Sequence, residues 1–455
     1  MTSADVLILG GGSGGYACAL RSAELGLSVI LIDKDKLGGT CLHRGCIPTK
    51  ALLHAAEVAD SSRESEKFGV KTTFEGIDMP KVNEYRDGVV ARLYKGLQGL
   101  IKSRDVTFVE GEGKLVGANT VEVNGVTYTG KNVVLATGSY ARSIPGLDIS
   151  GRIMTSDQAL DLDYVPKSVI VLGGGVIGVE FASVWKSFGA DVTVVEGLPH
   201  LVPNEDEAAS KALERAYRKR GINLILGTKF ASATQNDSSV EITLEDGKVL
   251  SAELLLVAVG RGANTANMGY EENNVAMDRG WVVVNERLAT NVPGIFAVGD
   301  ITPGLQLAHR GFQHGIFVAE EIAGMNPIVI ADINIPKVTY CEPEVASVGM
   351  SEVEARAAFG DNVNVYEYNL GGNGKSQILG TAGFIKLVAQ KDGPVVGIHM
   401  VGSRVGEQIG EAQLIVNWEA YPEDVATLIH AHPTQNEAMG EAHLALAGKP
   451  LHSHA

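Results

Sequence analysis

Two Rossmann-like dinucleotide-binding domains followed by a C-terminal α+β domain, all within an α/β chain, are predicted by three observations. A strand–glycine turn–helix unit occurs twice, as Gly10-x-Gly12-x-x-Gly15 and Gly173-x-Gly175-x-x-Gly178. In both units an acid, Asp33 or Glu196, ends the next strand 23 positions after the first glycine. The last stretch, from Lys337, carries no such unit and reads as strands (364–369, 384–389 and 395–399) with interspersed helices.

The first unit opens the chain. Asp5 to Leu9 reads as a buried strand, the glycines as a turn, and the residues to about Leu25 as a helix containing Cys18 in its core face. The strand Ser28 to Ile32 then ends at Asp33. Such a turn holds a pyrophosphate against backbone N–H groups at a helix start, and the acid accepts from a ribose hydroxyl. The glycines alone are weak evidence; the strand, helix and acid at the expected distance make the signal specific.

Between the two units lies Gly38-Gly39-Thr40-Cys41-Leu42-His43-Arg44-Gly45-Cys46-Ile47-Pro48-Thr49-Lys50. A disulfide here would close a loop too short to stabilise the fold much through chain entropy. Pro48 suits a first helical turn, and Leu52, Leu53, Ala56 and Val58 supply an apolar stripe. Cys46 would then start a helix, where the dipole favours a thiolate. We read a redox pair. Half a zinc site lacks a second pair of ligands, and two buried apolar cysteines are the plain alternative.

Further on, Asp78 and Pro80 open a long helix, with Val82, Tyr85, Val89, Leu93, Leu97 and Leu100 expected on its buried face. Short strands from Val106 form a meander that ends in Val133 to Ser139, a buried strand feeding the Thr137-Gly138-Ser139 turn. Ile144-Pro145-Gly146 marks a boundary. The second unit follows, and Glu196 would repel a 2′-phosphate, so NAD rather than NADP is expected there. A second meander (240–244, then 249–259) leads into Gly260-Arg261. The region after it is marked by Ile295-Phe296-Ala297-Val298-Gly299-Asp300, a strand bringing a carboxylate to the end where open sheets bind ligands. A surface-turn aspartate is the plain alternative there. Ser351-x-x-Glu354 is a capping box. Near the end, His432 precedes Pro433, read as a helix start, and Glu437 lies within reach of the imidazole. A His–carboxylate pair suits general-base work on thiols near pH 7. An ordinary helix-start histidine is the alternative, and His430 stays unassigned.

Composition sets the outer bounds. The chain has 455 residues, a formal net charge of −16 and 55 glycines. That charge argues against nucleic acid or an anionic membrane as partner. Four cysteines (Cys18, Cys41, Cys46 and Cys341) fit a reducing compartment, where a disulfide is catalytic more often than structural. The N-terminus enters a strand with no basic or amphipathic leader, and no apolar run reaches membrane-spanning length, so we expect a cytoplasmic protein. The His-containing tail Leu451–Ala455 is expected to be solvated, and no metal site is expected.

In order and spacing, these motifs resemble the flavoprotein disulfide reductases, the class I pyridine nucleotide-disulfide oxidoreductases, from end to end. The resemblance implies FAD at Gly10, Gly12, Gly15 and Asp33, with Thr137, Gly138, Ser139, Asp300 and Ala308 completing its site. It implies NAD at Gly173, Gly175, Gly178, Glu196 and Gly260. Lys50 and Glu180 would pair beside the flavin, and Cys41 and Cys46 would form the redox disulfide. The last domain becomes a dimerisation domain, so His432 and Glu437 of one subunit serve the disulfide of the other. Domains are expected at 1–147 (FAD), 148–262 (NAD), 263–335 (completing the FAD site) and 336–455 (dimer interface). The implied reaction is oxidation of a protein-bound dihydrolipoyl dithiol by NAD⁺, with a dihydrolipoyl acyltransferase of a 2-oxoacid dehydrogenase complex as partner. Glutathione-type reductases would want basic residues after Glu196, and mercuric-type ones C-terminal cysteines. This chain has neither. A flavin-binding scaffold within a larger assembly would not need Cys41, Cys46, His432 and Glu437 together.

Overall fold

The computed structural model describes residues 2–452. Its first sheet is built on the parallel strands Thr107–Glu110, Val29–Asp33, Ser3–Leu9 and Val126–Leu135, in that spatial order. The apolar run Val6 to Leu9 is almost fully buried, as expected for a strand covered on both faces. The meander on this sheet comprises Gly113–Gly117, Thr120–Val123 and Val126–Leu135. The strand Thr107–Glu110 is not part of it and joins the parallel edge instead. Strand Ile295–Ala297, more than 150 residues further along the chain, pairs in parallel with Val126–Leu135. The Val298-Gly299-Asp300 turn is therefore carried by the first sheet.

The second sheet is wholly parallel, in the order Asn223–Leu226, Asp191–Glu196, Ser168–Leu172, Leu254–Val257 and Ile153–Met154. The expected strand from Val249 to Val259 divides. Val249–Ala252 stays in an antiparallel ribbon, while Leu254–Val257 enters the parallel sheet. Lys337–Thr339 and Glu344–Gly349 join the three expected strands of the last region in an antiparallel sheet of five. The capping box is present at Ser351 and Glu354.

Two helical expectations are corrected by packing. The long helix Met79–Ser103 buries Met79, Arg86, Leu97 and Ile101, with Val82, Val90 and Tyr94 partly covered. Tyr85, Leu93 and Leu100 stay 44%, 47% and 48% exposed. The helix is apolar on more than one side, and the neighbouring helices select the face containing Arg86, whose guanidinium donates to the Leu160 carbonyl. In the helix Cys46–Arg63 the buried stripe is Leu52, Ala56 and Ala59, while Val58 points outward at 56% exposure. Leu52 and Ala56 of that stripe share one core with Val179, Phe181 and Ala182 of the helix Val176–Phe188. No helix among the described residues is long and apolar enough to cross a membrane. Of the tail, Leu451 and His452 are exposed, and the His452 ring meets Glu441 at 2.9 Å; residues 453–455 lie outside the described residues.

Candidate active site

The site begins at two glycine contacts. Gly10 takes a positive φ of 109°, and a Cβ at Gly15 would sit 1.7 Å from the Gly10 carbonyl oxygen. Only glycine lets the turn and helix close this tightly. At Gly12, by contrast, the nearest atom to an added Cβ is Gly39 Cα at 4.0 Å, so its outer face is open. The second unit repeats the pattern: a Cβ at Gly178 would meet the Gly173 oxygen at 1.9 Å, whereas Gly175 faces open space. The acids also match. Asp33 accepts from the Gly11 N–H at 2.5 Å and Glu196 from the Gly174 N–H at 2.6 Å, so each carboxylate is aimed at its own turn. Both cradles fit a dinucleotide, with an open glycine for the pyrophosphate and an acid beside it for the ribose.

The redox segment leans directly on the first cradle. A Cβ at Gly39, whose φ is +59°, would strike Gly12 Cα at 2.7 Å. Thr40 and Cys41 then sit in a short helix, Gly39–Arg44, which the sequence did not suggest, and Cys46 is the first residue of the helix Cys46–Arg63. Both cysteines are half-buried free thiols. The hydrogen bond with Cys41, assisted by the Lys50 ammonium, pulls the Cys46 thiol down to about 7 against the opposing effect of burial. The same bond, together with burial, pushes Cys41 far up. Cys46 is the ready thiolate. Cys18 and Cys341 are buried, and burial raises both.

Lys50 and Glu180 are 130 positions apart in sequence, yet Lys50 Nζ donates to both carboxylate oxygens at 2.8 and 2.9 Å. Glu180 also accepts from the Tyr340 N–H at 3.0 Å, and the Tyr340 ring lies 4.8 Å from Lys50 Nζ. These bonds satisfy a carboxylate only 3% exposed, which would otherwise be costly to bury. Lys50 stays charged, its pKa raised by Glu180 against desolvation.

On the far side of the first cradle, Asp300 accepts from Ser139 Oγ at 2.6 Å. Ser139 is held in turn by Arg261 through Nε at 2.7 Å, in a two-strand ribbon of Ser139–Ala141 and Arg261–Ala263. Thr137 Oγ1 donates to the Asn264 carbonyl at 2.7 Å. Gly138 and Gly260 take positive φ values of 73° and 105° with open space above them. Ala308 is the first residue of the helix Ala308–Ile322, which crosses the first helix so closely that a Cβ at Gly315 would lie 2.2 Å from the Gly14 oxygen. The sequence did not single out Tyr340, Arg261 or Tyr16; burial, together with the charge of the two redox cysteines, pushes the Tyr16 phenol up. Each acts across more than 20 residues of intervening chain and leaves no local pattern.

His432 and Glu437 meet as expected, Nδ1 to Oε1 at 2.8 Å. Pro433 is not a helix start, however. The helix begins at Glu437, whose second oxygen accepts from the Thr434 N–H at 2.7 Å. His432 is 77% exposed in this chain. No cluster of metal-ligating side chains occurs among the described residues.

Two dinucleotide cradles, with the segment that carries a dithiol packed on the first, define a nucleotide-linked disulfide oxidoreductase. The chain matches the pyridine nucleotide-disulphide oxidoreductase family over residues 4–315 and the dimerisation domain of that family over 335–443, and it belongs to that family. It is 41% identical to a dihydrolipoyl dehydrogenase of Bacillus subtilis (strain 168), with 99% of each chain covered. It is 38% identical to dihydrolipoyl dehydrogenase 1, mitochondrial, of Arabidopsis thaliana, over 98% of this chain and 91% of that one. Among solved structures, LpdA from Mycobacterium tuberculosis superposes with a TM-score of 0.91 at 26% identity, covering 98% of this chain and 100% of that one.

Proposed function

We propose that this chain is a homodimeric, FAD-containing dihydrolipoyl dehydrogenase that oxidises protein-bound dihydrolipoyl groups with NAD⁺ in the cytoplasm. The observation that carries the reading is Cys46, a thiol held near 7 at a helix start, beside a cysteine partner, in the segment whose Gly39 packs on Gly12 of the first nucleotide cradle. FAD is assigned to Gly10, Gly12, Gly15, Asp33, Thr137, Gly138, Ser139, Asp300 and Ala308. NAD is assigned to Gly173, Gly175, Gly178, Glu196 and Gly260. The chain divides into units at 1–147, 148–262, 263–335 and 336–455, and its partner is a dihydrolipoyl acyltransferase of a 2-oxoacid dehydrogenase complex.

In the oxidised enzyme Cys41 and Cys46 form a disulfide. With Nδ1 turned to Glu437, the Nε2 of His432 from the partner subunit takes a proton from one substrate thiol. That thiolate attacks Cys41 Sγ. The Cys41–Cys46 bond breaks, and Cys46 leaves with the electron pair, a good leaving group because its thiolate is stabilised. As the second substrate sulfur closes the cyclic disulfide it expels Cys41, which takes up that second thiol's proton, while the first proton stays on His432 opposite the Cys46 thiolate. The substrate is oxidised by two electrons and the cysteine pair is reduced by two. Bound FAD supplies the two-electron relay from that pair to NAD⁺. Lys50, neutralised by Glu180, keeps a fixed cation beside Cys46.

The test is a substrate panel on purified protein, dihydrolipoamide with NAD⁺ against glutathione disulfide with NADPH. Turnover of the first pair is expected. Cys41→Ser should abolish it while the protein stays yellow with FAD. Near-normal turnover in that variant, or preference for the second pair, would overturn the reading.

A further inference from the structure

The histidine two residues before the proposed base forms an imidazole–carboxylate pair of its own. His430 Nε2 meets Glu411 Oε1 at 2.8 Å, and the other Glu411 oxygen accepts from Asn436 Nδ2. Glu411 lies on the helix Val405–Asn417, a different element from the loop that carries His432. One carboxylate thus grips residues 430 and 436, the two ends of the segment that presents His432 and leads into Glu437. Within the segment, Glu437 holds the His432 ring and the Thr434 N–H, and the ties to other elements are neutral bonds, from Asn373 Nδ2 to the Thr434 carbonyl at 3.0 Å and from Gln435 Nε2 to the Ser403 carbonyl at 2.8 Å.

The surroundings are built for this pair. The His430 side chain is 12% exposed, against 77% for His432. Its ring lies on Gly440, where an added Cβ would meet His430 Nδ1 at 2.5 Å, so a larger residue there would displace the ring. The charged and titratable groups around it are Glu411, Glu437 and His443. The bond to Glu411 raises the His430 pKa and so favours the imidazolium as donor, while burial pushes His443 down to about 4, leaving it neutral. Charge-assisted bonds of this kind are stronger than neutral ones and restrict geometry more tightly.

We propose that Glu411 and His430 are positioning residues for the base. By clamping both ends of segment 430–436 they hold the His432 imidazole at the orientation in which it takes the substrate proton. This inference rests on the reading of His432 as general base. Base catalysis is worth about 10²–10⁴-fold and depends on a well-placed acceptor, so a loosened clamp forfeits part of that factor.

The experiment uses the FAD-loaded dimer with dihydrolipoamide and NAD⁺, and NADH oxidation by an artificial one-electron acceptor as a reaction that needs no thiol base. His430→Ala should lower kcat for dithiol oxidation about tenfold, with the KM for NAD⁺ and the artificial-acceptor rate unchanged. His430→Gln places an amide donor near the Nε2 position and should return kcat to within about twofold of the parent. Glu411→Ala should lose at least as much as His430→Ala, and the double variant no more than Glu411→Ala alone, because both changes break one clamp. Should His430→Ala shed FAD or dissociate, the contrast between the parent, His430→Gln and Glu411→Gln decides, since glutamine at 411 can accept from only one of its two partners and should fall below His430→Gln. Equal loss in the alanine and glutamine variants of His430, additive loss in the double variant, or parental kcat throughout would overturn the proposal. His432→Ala run alongside separates the two ideas. If it is inactive while the His430 and Glu411 variants are unimpaired, only the clamp fails; if it is active, the assignment of the base fails.

Discussion

Removing the hydrogen-bond donor beside Cys46 should convert it into an ordinary thiol. The largest influence lowering Cys46 to about 7 is its bond with Cys41, followed among the lowering influences by the Lys50 ammonium. At a pKa of about 7, half of Cys46 is thiolate at pH 7. At the ordinary value of about 8.5 the fraction is about 3%, roughly fifteenfold less. Cys41→Ser leaves a hydroxyl that still donates, whereas Cys41→Ala leaves no donor. The assay is the pH dependence of iodoacetamide alkylation in the FAD-loaded variants, followed by mass, because the thiolate is the reactive form. Cys18 and Cys341 are 0% and 1% exposed and stay silent. Cys41→Ser should show a rate that falls as pH drops through about 7. In Cys41→Ala the midpoint should rise by at least about one unit. Adding Lys50→Met to Cys41→Ser should also move it upward, and all rates should converge near pH 10. Coincident profiles for the serine and alanine variants, with midpoints near the ordinary thiol value, would refute this account of how Cys46 is activated.

Two further outcomes follow from the cradles and the dimer. Glu196→Ala should narrow the preference for NAD⁺ over NADP⁺ by at least about tenfold, since the carboxylate that accepts from the Gly174 N–H would repel a 2′-phosphate; steady-state kinetics with both nucleotides measures this, and an unchanged ratio would show that the acid does not read the ribose. Mixing inactive His432→Ala chains with inactive Cys41→Ser chains and letting subunits exchange should restore activity in mixed dimers, each of which holds one intact site. Tag-verified exchange without recovered activity would place base and disulfide in the same subunit.

Residue order alone made legible those parts of the molecule whose physics is local. A pyrophosphate cradle needs a strand, a glycine turn, a helix start and an acid on the next strand, all within about 25 residues, so Gly10 to Asp33 and Gly173 to Glu196 were readable as they stand. Cys41 and Cys46 were legible for the same reason, as were the capping box at Ser351 and the reach from His432 to Glu437. Tertiary structure decided whatever depends on which distant surfaces meet. Helical periodicity marks apolar stripes but not the one that is covered, so Tyr85, Leu93 and Leu100 were expected inside and lie outside, while Arg86 is buried. A buried run of three residues does not say which sheet it will join, so Ile295–Ala297 could be read as a strand but not as a partner of Val126–Leu135. The ties from Tyr340 to Glu180, from Arg261 through Ser139 to Asp300, and from Glu411 to both ends of the His432 segment join elements far apart in the chain. Their partners are chosen by packing, which has no period along the sequence.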